Sequence, residues 1–206
     1  REALESENPA LSLSSALSMV HIDPAEAVRE LMPYIPKRKE WASFKVANVL
    51  KEAGADVFSA PLADAVVEAP DPRMIRLLSL ARYDIAVQAV RKILKDSGDE
   101  EVISACLHVV KDPRDLPIVR GYLHHPSWFI RVQAAIVLGR IGIEEDKDGL
   151  IGLLGDGEWW VRYRAAQALA GMPFVGVKEL RQIQAGHSDR YARDILDQVI
   201  AEKGTP

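Results

Sequence analysis

Histidine and carboxylate side chains are the first candidates for chemistry in this chain. Metal or acid–base work needs imidazoles and carboxylates converging on one point, which on a helix means spacings of three or four. The chain has five histidines. His124 and His125 are adjacent, so their rings do not share a helical face. No His-Glu-x-x-His, Cys-x-x-Cys or His-x-Glu pairing occurs. The histidines are therefore expected at helix ends and turns, and no metal is expected. Glu144-Glu145-Asp146-Asp148 is a carboxylate cluster without the alternating pattern of a calcium loop. It precedes a predicted helix, where negative charge suits the amino-terminal dipole, and a solvated turn is the expectation. Cys106 lies in the apolar run Ala105 to Val110 and reads as a small buried hydrophobe rather than a nucleophile. Gly-x-Ser-x-Gly elbows and phosphate-cradling glycine loops are absent. With no catalytic constellation, neither an enzyme nor a cofactor is expected.

One set of side chains has a spacing suited to recognition instead. Phe129, Trp160 and Tyr191 recur every 31 residues, and Trp41 joins them under an offset of 88. On a helix, residues four and seven further on share their face: Gln133 and Ile136, Arg164 and Gln167, Ile195 and Gln198. Flat aromatics beside long polar side chains are the groups that anchor protein partners. Packing competes with binding at these positions, because aromatics near a helix start also fill gaps between stacked helices. Trp128 and Trp159 are assigned to packing.

The elements that carry this ladder follow from the same period. Trp128 to Leu138 aligns without a gap on Trp159 to Leu169, and Arg190-Tyr191-Ala192-Arg193 continues the register. Arginine recurs at Arg131, Arg162 and Arg193. Before each copy stands a shorter apolar segment, at residues 116–123, 147–154 and 178–185, so each unit reads as helix, polar turn, helix. Val161, Ala165, Ala168, Leu169 and Met172 form one apolar stripe of helical spacing, and the aromatic face turns away from it. Period-two alternation is absent, so no strand is expected. Upstream the pattern is looser. Ala47 to Leu50 before Gly54, Glu101 to Leu107 and, as a shorter one, Asp71 to Leu78 fit the second-helix slot, Asp84 to Lys95 reads as a first helix, and Ser12 to Val20 with Pro24 to Tyr34 forms an opening pair.

These units resemble HEAT repeats, in the bacterial variety called phycobilisome-lyase HEAT-like. Asp156-Gly157-Glu158-Trp159-Trp160-Val161-Arg162 with Ala165-Ala166 and Leu169 follows the family pattern, whereas His125 and His187 stand where aspartate is usual. The resemblance is strong over 113–201 and looser over 8–112. It implies an all-α fold, an α–α superhelix of about five to six hairpins without a β-sheet, forming a single solenoid over 1–206. It also implies that Arg131, Arg162 and Arg193 bond turn carboxylates or carbonyls, with Asp156 the partner for Arg162. Second helices of such solenoids line the concave side, so Trp41, Phe129, Gln133, Trp160, Arg164, Gln167 and Tyr191 would form a groove.

Composition narrows the partner. The chain has 206 residues, 48% hydrophobic, with 26 basic and 30 acidic side chains and a net charge of -4. That apolar content excludes a disordered chain, and a single cysteine excludes a disulfide scaffold. The first 119 residues hold 15 basic and 19 acidic groups, and the last 87 hold 11 of each. Neither part has the positive field that several phosphates require, so nucleic acid is not expected. Pro36-Lys37-Arg38-Lys39 reads as a hydrated loop. The expected function is a non-catalytic scaffold or regulatory module that binds a protein or peptide. The alternatives are a subunit of a bilin lyase-type enzyme and, further off, a nucleic-acid-binding HEAT-like protein. Membrane insertion by this segment is not expected and the cytoplasm is the expected compartment. The opening Arg1 fits a processed chain or a soluble piece of a larger, membrane-anchored protein.

Overall fold

The computed structural model describes residues 6, 8–37 and 43–204, and every regular element among them is helical. The chain divides into two compact units, Arg1–Val109 and Val110–Pro206. The first contains α1 (Pro9–Ile22), α2 (Pro24–Leu31), α3 (Ser43–Ala53), α4 (Ala55–Glu68), α5 (Pro72–Leu77), α6 (Tyr83–Asp96) and α7 (Glu100–Val109). The second contains α8 (Leu116–Arg120), α9 (Trp128–Ile141), α10 (Lys147–Leu153), α11 (Trp159–Gly171), α12 (Val177–Gly186) and α13 (Arg190–Gly204). Counted among the described residues, α1 is followed by six hairpins, α2/α3 to α12/α13, and the fold class is the all-α solenoid.

Several helices begin for the same local reason. An asparagine or aspartate followed by proline opens α1, α2, α5 and the 3₁₀ turn Pro113–Asp115 that leads into α8. Proline disfavours the helical region for the residue before it, and its own missing N–H is no loss in a first turn. Asn8, Asp23, Asp71 and Asp112 are accordingly extended, and each carboxyl or amide oxygen accepts a first-turn N–H. Gly54 separates α3 from α4 at φ +88°, where only glycine is unstrained.

In the first unit α1, α3, α5 and α7 form one layer, and α2, α4 and α6 the other. The α4 helix is the element that the sequence pattern leaves unassigned. Pro61 lies inside it and removes a ladder donor. Tertiary burial nevertheless holds the helix, with Phe58, Leu62 and Val66 in the core. Ser59, fully buried, donates to the Ala55 carbonyl (2.5 Å) and accepts the Arg82 backbone N–H (2.8 Å), joining α4 to the start of α6. The opposite difference occurs at α2, expected to reach Tyr34 but ending at Leu31 before a run of turns through Lys37.

In the second unit α9, α11 and α13 stack side by side, while α8, α10 and α12 each pack on the helix that follows. The apolar stripes face inward. Ile130, Ala134, Ala135 and Leu138 of α9 are buried, as are Val161, Ala165, Ala166 and Leu169 of α11. The approach of α9 to α11 is close. A Cβ added at Gly139 would lie 2.7 Å from the Ala168 Cα and 2.8 Å from its Cβ. A larger residue there must push the helices apart, so Gly139→Val should destabilise the chain by about 1–3 kcal/mol despite valine's better helix propensity. Chemical denaturation monitored by circular dichroism checks this, and an unchanged midpoint would contradict the close packing.

Candidate functional site

The turns between first and second helices are built on one repeated device. Arg131 Nη1 donates to the carbonyls of His125 (2.8 Å) and Pro126 (2.9 Å). Arg162 Nη1 does the same to Asp156 (2.6 Å) and Gly157 (3.2 Å), and Arg193 Nη1 to His187 (2.8 Å) and Ser188 (3.0 Å). Each guanidinium thereby folds its own turn back onto its own helix. The first residue of each turn closes it from the other side. Asp156 Oδ1 accepts the Glu158 N–H at 2.9 Å, while His125 and His187 use Nδ1 to accept from Ser127 and Asp189, both at 3.2 Å. The two histidines thus serve as substitutes for aspartate, a role that their shared repeat position with Asp156 signals in the sequence.

Asp156 also links successive repeats. Its carboxylate is taken by Arg131 of the preceding hairpin, through Nε at 2.7 Å and Nη2 at 2.8 Å, rather than by Arg162, which bonds only its backbone carbonyl. Both side chains of this bidentate pair are largely enclosed, with exposures of 16% and 10%. Burial pushes the Asp156 carboxyl up, but the Arg131 bond, the Glu158 amide and the charges of Arg131 and Arg162 together hold it below its ordinary value. The same bond raises the Arg131 guanidinium. One repeat later the carboxylate is missing because the position is His187, and the Arg162 Nε is buried without a hydrogen-bond partner. The Arg162 guanidinium lies instead 5.7 Å from the centre of the Tyr191 ring, within cation–π range.

The acidic cluster is not wholly a solvated turn. Asp146 is buried, and accepts from Arg120 Nε (2.6 Å) and from the Ile143 backbone N–H (2.9 Å). Asp115, 31 residues earlier, is buried as well. Lys147 bonds Glu144 and, at 2.5 Å, Glu179 of the next hairpin. Among the described residues no group of three or more histidine, cysteine or acidic side chains is placed to hold a metal. Cys106 is fully buried, and burial pushes its thiol up to about 12, so it carries no thiolate at neutral pH.

The described rungs of the aromatic ladder, Phe129, Trp160 and Tyr191, lie in the first turns of α9, α11 and α13. Trp160 is 51% and Tyr191 66% exposed, and on α9 Ile136 is exposed as well. Phe129, Gln133, Arg164 and Gln167 are half-buried. Trp41 lies outside the described residues. Trp128 and Trp159, assigned to packing, are each 43% exposed. They pack within their own repeat: Trp128 edge-on to Phe129, and Trp159 edge-on to Trp160 at 4.7 Å and stacked on Tyr163 at 5.0 Å. Among the described residues no ring contact joins Phe129, Trp160 and Tyr191 to one another. A polar relay extends from this aromatic group, in which Arg164 Nη1 donates to Gln167 Oε1 (2.8 Å) and Gln167 Nε2 to the Tyr163 hydroxyl (2.9 Å). On α13 the face is interrupted, because Ile195 is buried.

Two outcomes test the turn chemistry. Asp156 has a depressed pKa when folded, so its contribution is present above the ordinary value of 3.8 and is lost as pH falls below it. Asp156→Asn should therefore cost about 1–3 kcal/mol at neutral pH, with the gap from the parent closing in acid, as read from denaturation midpoints across the pH range. Conversely, His187→Asp supplies Arg162 with the missing carboxylate and should stabilise by about 1–2 kcal/mol in the same measurement.

No curated protein matches the chain. Among solved structures, one described as an engineered protein aligns over 98% of this chain and 94% of its own at 14% identity, with a TM-score of 0.49. The family model described as HEAT repeats matches residues 87–170. That span runs from α6 into α11 and includes the Arg131–Asp156 link between hairpins.

Proposed function

We propose that the chain is a non-catalytic scaffold or regulatory module that binds a protein or peptide on the concave, solvent-exposed face of its second helices, around Phe129, Gln133, Trp160, Arg164, Gln167 and Tyr191. The carrying observation is the exposure of Trp160 and Tyr191 (51% and 66%) on elements whose opposite faces are fully packed. A large aromatic left open beside ordered polar groups is the composition of a protein-binding anchor. The units over 113–201 carry the lyase-type variant of the repeat, which we read as bacterial. One buried cysteine suits a reducing compartment such as the cytoplasm. No helix among the described residues is long and apolar enough to cross a membrane.

The paired substitution Trp160→Ala with Arg164→Ala should abolish capture of the partner recovered by affinity purification and mass spectrometry, with far-ultraviolet circular dichroism unchanged. Both side chains lie off the buried stripe, so folding should survive. Undiminished capture by the folded double variant would exclude this face.

A further inference from the structure

We infer that the groove between α9 and α11 receives an acidic peptide segment of a partner protein, seating a carboxylate on Arg164 and an apolar side chain against Ile136. This rests on the reading of the second helices as a binding face, and adds the chemistry of what binds. The groove is a shallow cavity of about 200 Å³ lined by Ile136, Gly139, Arg164, Gln167 and Ala168. Its floor is a close approach of the two helices, because Gly139 admits the Ala168 backbone. Its one charged lining residue is Arg164.

Charge on these helices is one-sided. α9 and α11 contain Arg131, Arg140, Arg162 and Arg164 and no aspartate or glutamate. Three of the four are occupied by the fold: Arg131 by Asp156 and turn carbonyls, Arg162 by turn carbonyls, and Arg140 by the Val110 carbonyl at 2.6 Å. Among the described residues Arg164 bonds only the neutral Gln167 oxygen and has no carboxylate partner. A guanidinium has five donors in a planar fork, so four remain, and a carboxylate is the group that fits them in pairs. Gln167, itself tied to Tyr163, holds the fork in place. The neighbouring cavity across α11 differs, since it carries Glu202, bonded by Gln198, and Lys203, tied to the carbonyls of Ala170 and Val175. A partner's negative charge is therefore favoured at Arg164 and disfavoured one groove further on. A lone arginine between apolar side chains, without lysines on either helix, suits a single carboxylate beside an apolar residue rather than a phosphate backbone.

The test is selection of a randomised peptide display library on the full chain. Enriched peptides are then synthesised and titrated by fluorescence anisotropy against the parent, Arg164→Glu, Arg164→Lys and Trp160→Ala. Enrichment of Asp or Glu next to a large apolar residue is expected. Such peptides should weaken about tenfold or more against Arg164→Glu, and equally when their own carboxylate is made an amide. Arg164→Lys should retain part of the affinity, because charge persists while the planar fork is lost, and this also controls for folding. Enriched peptides that lack acidic residues but depend on Trp160 would overturn the inference and leave the binding face standing. No enrichment, or binding indifferent to both positions, would overturn the two together. Arg164-dependent binding of a labelled single-stranded oligonucleotide, or Trp160-dependent self-association in sedimentation, would assign the groove to another occupant and overturn the inference as well.

Discussion

The second unit depends on how closely α9 and α11 approach. Glycine at 139 and alanines at 134, 135, 165, 166 and 168 leave no bulk between the helices, and their backbones meet at distances that a Cβ on Gly139 would forbid. Small residues on the inner face have a consequence for the outer one. An apolar stripe built from alanine fills little volume, so the helices are drawn together and each can bury only one side. Large side chains of the same helices, Trp160 and Ile136 among them, have no place in that seam and stand in solvent. The groove above Gly139 and Ala168 is the outer trace of the inner contact.

Apolar packing along such a stack does not by itself set register, because alanine against alanine tolerates sliding. Polar bonds at the turns supply it. Each repeat arginine is anchored to two carbonyls of its own turn, and Arg131 continues to the Asp156 carboxylate of the next. These bonds have fixed directions and lie at the hairpin ends, where a small displacement would break them. Lys147 to Glu179 and Arg120 to Asp146 connect hairpins in the first-helix layer in the same way. Stability is thus spread between a directionless apolar seam and a few well-placed charged contacts at its margin.

The fold was legible because the period is written in residues with distinct jobs: breakers at 125–127, 156–158 and 187–189, arginine four residues into each second helix, and alanine pairs after the first two of these arginines. Features hidden from the sequence share a cause, in that their partners lie in another repeat. Asp156 is nearer in sequence to Arg162 than to Arg131, so local reasoning pairs the wrong guanidinium with its carboxylate. Asp146 sits among acidic neighbours and looks solvated until Arg120, 26 residues away, is brought to it. The recurrence of aspartate at 115 and 146, on the repeat spacing, was the available sign that the position is buried. The α4 helix was obscured by Pro61, whose local cost is outweighed by burial of Phe58, Leu62 and Val66. On the site, the aromatic ladder could be placed on one face by spacing alone. Its ordering by the Arg164–Gln167–Tyr163 relay could not, since it depends on rotamers.

One position in the turn shows how divergence within a repeat redirects a side chain. Aspartate there has two tasks, accepting an amide of its own turn and neutralising the arginine of the hairpin before. Histidine performs the first through Nδ1 and cannot perform the second, since an imidazole offers a guanidinium no anion. At His125 no regular repeat of this series stands immediately before it to need one. At His187 one does, and Arg162 keeps its carbonyl bonds while its Nε goes unmatched and its charge lies close to the Tyr191 ring. Changing aspartate to histidine in a turn therefore loosens one inter-repeat clamp and places a cation behind an exposed aromatic of the outer face. Fold maintenance and surface chemistry meet in that single guanidinium, and the 31-residue period is what makes the exchange visible.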